Sequence, residues 1–251
     1  LIAVLFPFML VLSGVGSETA LSLFGVAMGM TFPLLFLPST LIGSLSFALI
    51  PELSTALVKN QTTLVEERIK TGLLFSVIIS AMIIPLYIGL GSEICGFLFD
   101  NTLSGEFLIG ASWIMIPLGL SNITSSILNA FNLEVKSFIN NILGGVCLIL
   151  CVVCLTGALQ VYALILGFAV CMGLTTLLNI IMIKKHTKIK LGLIKPLVLS
   201  CAFVVPCALL SKWIYGLCIV VFPSFVALII GAFVAVFSFI LLCMCFKLCD
   251  F

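Results

Sequence analysis

Apolar residues run almost without interruption along this chain, and the rare charged positions divide it into stretches that predict membrane-crossing helices. Residues 19–51 are uncharged over 33 positions, which would make about 50 Å of helix against a hydrocarbon core of about 30 Å. That is long for one upright crossing and short for two with a turn. Pro33, Pro38 and Pro51 interrupt the stretch, and Gly25 and Gly29 share a GxxxG spacing, so it is expected to be one kinked or broken helix. Residues 54–70 then turn amphipathic. Leu57, Val58, Leu64, Val65 and Ile69 fall on one face, with Lys59, Glu66, Glu67, Arg68 and Lys70 elsewhere, the pattern of a helix lying on the membrane surface.

Further crossings are expected at 71–90, with a kink at Pro85, and at 107–130, entered through a turn in which Ser104 would cap the helix. Residues 137–183 carry no charge and must form a hairpin of two helices, 137–156 and 161–183, folding back near Thr156, Gly157 and Ala158. Residues 196–211 and 222–246 supply two more crossings, and residues 1–13 read as the end of a helix that begins before the chain does. The expected fold is an all-α membrane protein, a helical bundle of about eight crossings.

Composition excludes several classes of function. The chain is 63% hydrophobic and 8% charged, with a mean hydropathy of +1.44, too apolar for a soluble catalytic domain of 251 residues. Uninterrupted apolar runs exclude a β-barrel, whose strands would alternate. A net charge of +2 is too small for nucleic-acid binding. The eleven cysteines sit mostly within apolar stretches, and none forms a CxxC pair with His partners, so soft packing residues are expected rather than a metal centre or cofactor site.

Charge also predicts sidedness. With the kinked segment crossing once, Lys59, Arg68, Lys70, Lys136, Lys184, Lys185, Lys188, Lys190, Lys195 and Lys247 share one side, ten of the eleven basic residues. Glu18, Glu93, Asp100, Glu106 and Lys212 take the other. The basic side, with the carboxyl terminus, is then cytoplasmic. Lys212 beside Trp213 and Tyr215 suits the outer interface, with the ammonium snorkelling to water.

Polar residues inside apolar runs are costly and tend to face the protein interior or a wet cavity. The densest set is Asn122, Thr124, Ser125, Ser126 and Asn129. Asn122, Ser125, Ser126 and Asn129 fall on one helical face, where they could line a cavity offering hydrogen bonds to sugar hydroxyls, or bind helix to helix. Ser44 and Ser46, with Gly43, are candidates for the same wall or for close packing. Pro33 and Pro38 are candidate hinge residues or a static kink. Pro51 and Glu52 stand where a gate or a solvated end would be. Asn140, Asn141 and Asn179 read as packing groups, and His186 as a solvated loop residue. The glycosylation-like triplets at Asn60 and Asn122 are chance matches, one expected to face the cytoplasm and one inside a span.

One stretch carries a family resemblance. Residues 20–39, Ala-Leu-Ser-Leu-Phe-Gly-Val-Ala-Met-Gly-Met-Thr-Phe-Pro-Leu-Leu-Phe-Leu-Pro-Ser, lead into residues 45–54, Leu-Ser-Phe-Ala-Leu-Ile-Pro-Glu-Leu-Ser. Together with Ile-Leu-Asn-Ala-Phe-Asn-Leu-Glu-Val-Lys at 127–136, this resembles the stage V sporulation protein B group of polysaccharide and lipid-linked oligosaccharide flippases. The superfamily also holds the lipid II flippases and the multidrug extruders. The resemblance implies that residues 1–183 are the second lobe of a two-lobe, fourteen-helix transporter and that residues 184–251 add two helices. It also implies a cavity between the lobes that opens alternately to either side. The partners would be a lipid-linked saccharide, membrane lipids and an N-terminal lobe outside this chain. Lipid II flippases usually place basic side chains in that cavity. Here no Lys or Arg lies inside an apolar run except Lys212, at an edge.

An ion-coupled multidrug extruder is the alternative, although none of the nine acidic residues lies deep in an apolar run. A membrane-embedded enzyme would need paired carboxylates, a metal cluster or a nucleophile with its base. The only grouping, Glu93, Asp100 and Glu106, reads as a solvated turn, so no enzymatic activity is expected.

Overall fold

The computed structural model describes residues 2–187 and 192–246. Lys188, Lys190, Lys247, Cys249 and the carboxyl terminus, which enter the charge and cysteine readings, lie outside the described residues. The rest is an all-α bundle with no strand among the described residues: α1 (Ile2–Leu12), α2 (Ser17–Val26), a π-helical turn (Ala27–Thr31), α3 (Phe32–Phe36), α4 (Ser39–Val58), α5 (Thr62–Phe99), α6 (Thr102–Ala111), a 3₁₀ turn (Ser112–Ile114), α7 (Met115–Ala130), α8 (Glu134–Leu159), α9 (Val161–Thr187), α10 (Ile194–Cys218) and α11 (Ser224–Cys245). Among the described residues, eight helical stretches are long and apolar enough to cross a membrane.

Two of those stretches, Ser17–Phe36 and Ser39–Val58, are halves of one bent rod. Leu37 (φ −55°, ψ −47°) and Pro38 (φ −67°, ψ −22°) both keep right-handed helical dihedrals, so the chain bends there without turning back. The rod descends beside α5. Tyr87 reaches Leu34, Gly119 sits against Ile42 and Ser80, and Gly72 touches Leu49.

Prolines explain the interruptions. Pro33 and Pro38 have no N–H to give the carbonyls four residues earlier, Gly29 and Leu34. Upstream of Pro33 the backbone widens, and the Phe32 N–H bonds to Ala27, five residues back. The Thr31 hydroxyl donates to the Ser104 carbonyl on α6 at 3.0 Å. At Pro38 the replacement comes from a neighbour: the Tyr87 hydroxyl donates to the Leu34 carbonyl at 2.6 Å. Thr40 and Leu41 then bond three residues back, to Leu37 and Pro38.

Three sequence expectations are corrected. Residues 54–70 are not one surface helix. Asn60 adopts a left-handed φ of 54° and the Gln61 N–H closes back on Ala56, so α4 ends and α5 begins within this segment. The apolar face expected to meet lipid meets protein instead: Leu53 and Ala56 bury against Val65 and Ile69, while Val58 is left 84% exposed. The α8–α9 reversal falls at Gln160 (φ 47°), not at Thr156–Gly157–Ala158. Without water to take unpaired backbone groups, the helix continues through Gly157 to the first amide-bearing residue. Finally, Asn101 rather than Ser104 caps α6. Its Oδ1 accepts the Ser104 N–H at 3.0 Å, and the Ser104 hydroxyl returns to the Asn101 carbonyl.

Helices alternate in direction, so Lys59, Arg68, Lys70, Lys136, Lys184, Lys185 and Lys195 gather at one end, with Glu18, Glu93, Asp100 and Glu106 at the other. Toward the acidic end, α1, α2 and α3 pack on α6, α8 and α9 through Phe6, Phe32, Leu35, Leu108, Leu148 and Leu164. Toward the basic end, α4, α5, α7 and α9 meet at Leu53, Ile69, Ile123, Ile127 and Ile183. α5 lies at the centre, touching α4, α6, α7, α10 and α11. Small residues allow the close crossings. A side chain on Gly105 would strike the Ser92 backbone on α5, and one on Gly144 would meet the Cys171 carbonyl on α9 at 2.8 Å.

Candidate functional site

The polar residues singled out in the sequence lie on α7, whose circumference divides three ways. Gly119, Ile123 and Ile127 face α5 and α4, where Ser76 and Ser80 are buried without a hydrogen-bond partner among the described residues. Thr124 and the carbonyl of Pro117 face α9. Asn122, Ser125 and Asn129 form the third face, and all three are half-buried. Positions 122 and 129 are two helical turns apart, about 10 Å along the axis.

A buried amide network supports this face from behind. Asn140 of α8 donates through Nδ2 to Asn179 Oδ1 of α9 at 2.8 Å. Asn179 Nδ2 in turn lies 3.2 Å from Thr124 Oγ1 and 3.1 Å from Ser125 Oγ, donating to both. Thr124 directs its own hydroxyl back to the Leu120 and Ser121 carbonyls. Thr176 adds a bond from α9 to the Pro117 carbonyl at 3.0 Å, which fixes α7 against α9 about two turns before Thr124. Thr175, Thr176 and Asn179 follow helical spacing on α9, a pattern already present in the sequence.

The candidate residues therefore separate. Ser125 is engaged by Asn179, so it belongs both to the helix-binding network and to the half-buried face. Ser126, beside Asn122 on the helix, is buried, with its hydroxyl in none of the network's bonds. The carboxamides of Asn122 and Asn129 have no side-chain hydrogen bond among the described residues. Ser44 and Ser46 do not share a wall: two positions apart on a helix, they point to different sides. Ser46 is buried and bonds Ile42, while Ser44 is exposed and bonds Leu41. Each hydroxyl is satisfied within its own helix.

Pro33 and Pro38 flank the bend of the rod. Pro51 lies inside α4, where the Thr55 hydroxyl donates to its carbonyl at 2.8 Å. Glu52 pairs with Arg68 of α5 at 3.3 Å, clipping the rod to its neighbour at the basic end. Asn140 and Asn179 bridge helices, and Asn141 bonds the Ser137 carbonyl on its own helix. His186, exposed at the end of α9, contacts the Met182 carbonyl.

No family model matches the chain, and neither curated proteins nor solved structures provide a match. The described residues hold no group of three or more His, Cys, Asp or Glu placed to bind a metal ion. The α7 face offers neutral hydrogen bonding only: two carboxamides, each a donor and an acceptor, and one hydroxyl.

Proposed function

We propose that this chain is one wall of a flippase that moves a lipid-linked oligosaccharide or peptidoglycan precursor across the bacterial cytoplasmic membrane by alternating access, in cell-wall or spore-cortex synthesis. The observation that carries the reading is the pair of unpartnered carboxamides, Asn122 and Asn129, half-buried on a helical stretch long and apolar enough to cross a membrane. An amide facing hydrocarbon without a partner costs several kcal/mol, about 2–7 by transfer measures. Such a face is stable when it borders water, a polar partner or a polar cargo.

Three further features support the same reading. The bent rod stands next to α7, with the Leu-Ile-Pro-Glu-Leu-Ser segment in its basic-end half. Basic residues collect at one end, which the positive-inside rule makes cytoplasmic, and α11 runs back toward that side. The opposite wall would be an N-terminal lobe outside this chain. No acidic residue lies on α7 or on α4 before Glu52, so a saccharide headgroup suits this wall better than the ion-coupled drug transport of the alternative.

Depleting the protein should trap lipid-linked saccharide in the inner leaflet, read as lost labelling by a membrane-impermeant sugar-specific probe. Unchanged outer-leaflet labelling, with altered drug accumulation, would replace this reading by the alternative.

A further inference from the structure

Ser125 differs from Ser44, Ser46 and Thr124 in what it does with its proton. Ser44, Ser46 and Thr124 each donate to a carbonyl of their own helix. Ser125 instead accepts, from Asn179 Nδ2 at 3.1 Å. The carbonyl four residues back, that of Ser121, already receives the Thr124 hydroxyl at 3.2 Å. The Ser125 proton has no acceptor among the described residues.

The direction of this bond is set further back. Asn140 donates to Asn179 Oδ1 at 2.8 Å, which places the Asn179 oxygen toward α8 and its nitrogen toward α7. The Asn140 backbone carbonyl is met in turn by the Thr175 hydroxyl at 3.5 Å. Asn140 and Asn179 are buried, so neither amide has water to compete for it.

We infer that Asn179 is a positioning residue that holds the Ser125 hydroxyl as a hydrogen-bond donor between Asn122 and Asn129, making this strip a subsite for a neutral, hydroxyl-rich headgroup and not for its phosphate. The inference rests on the proposed transport reading for the cargo, and adds which chemistry this wall recognises. The strip carries no cation that would hold a phosphate. It presents donors and acceptors over about 10 Å, a span that suits two sugar rings.

The test uses the chain in lipid nanodiscs with ¹⁵N-labelled asparagine, eight of which occur in the sequence. Side-chain amide signals of Asn122 and Asn129 are followed during titration with maltotriose, and separately with inorganic pyrophosphate. Maltotriose should shift both signals and leave Asn101, at the acidic end, in place; pyrophosphate should shift neither. Ser125→Ala should weaken the maltotriose response about fivefold, the worth of one hydrogen bond, while Ser125→Thr should retain it. Asn179→Leu should match Ser125→Ala while the Asn122 and Asn129 amides still exchange with water. A response unchanged in Ser125→Ala, or absent from the wild type while those amides exchange with water, overturns the subsite. Amides that do not exchange with water overturn the proposed function itself.

Discussion

The rod of α2, α3 and α4 and its neighbour α5 are the two longest helical runs in the molecule, and proline affects them differently. α5 runs unbroken over its 38 residues, straight through Pro85. The rod, passing Pro33 and Pro38, widens at Ala27–Thr31 and tightens after Leu37. Surroundings account for the contrast. The most apolar stretch of α5 is 67% buried, held by five other helices, whereas the two halves of the rod are 33% and 28% buried. A lost backbone bond costs α5 little in shape because packing on all sides opposes a bend. The rod is packed on one side, and its two halves pack in different clusters, the upper with α1 and α6 and the lower with α7 and α5. Proline therefore marks where a helix can bend, and its neighbours decide whether it does.

The contrast can be broken most severely by removing the packing that keeps α5 straight. Gly105→Val would drive a branched side chain into the α5 backbone at Ser92 and the Gly91 carbonyl, and should destabilise the bundle by about 3 kcal/mol or more, read by denaturation in mixed micelles. A smaller effect tests the rod alone. Tyr87→Phe leaves the Leu34 carbonyl without its donor and should cost about 1–3 kcal/mol. Adding Pro38→Ala supplies a backbone N–H to that carbonyl and should recover most of the loss. A strictly additive pair of substitutions would show that the tyrosine does not replace the proline's missing bond. The smallest effect concerns the clip between the two rods. Glu52 and Arg68 are about half exposed, so Glu52→Gln should cost no more than about 1 kcal/mol, with a dependence on salt in the same assay.

The crossing helices were legible in the sequence because charge is nearly excluded from hydrocarbon, so Glu18, Glu52, Lys184 and Lys195 bracket apolar runs that can hardly be anything else. The ends of those helices were less so. Lys59–Gln61 breaks an amphipathic run that scans smoothly as one helix, because Asn60 takes a conformation that no periodicity records. Gly157 looked like a turn and is helical, since a helix in lipid tolerates glycine more readily than unpaired backbone. On α7 the cluster of amides and hydroxyls could be found from composition. Its division between a network side and a half-buried side could not, because Asn179 is 54 positions from Ser125. Tyr87 carried no local signal at all. Its role depends on Leu34, 53 positions away, and on a proline that removes a donor.

The position of the bend also sets a scale of movement. Pro38 stands near the middle of the rod, with about 30 Å of helix between it and the end of α4. Swinging the lower arm by about 10° about that point would carry its tip roughly 5 Å sideways, about one helical pitch, while the upper arm stays seated. At Glu52, about 21 Å along that arm, the same swing amounts to roughly 4 Å, so the 3.3 Å contact with Arg68 would have to stretch or re-form as the arm sweeps.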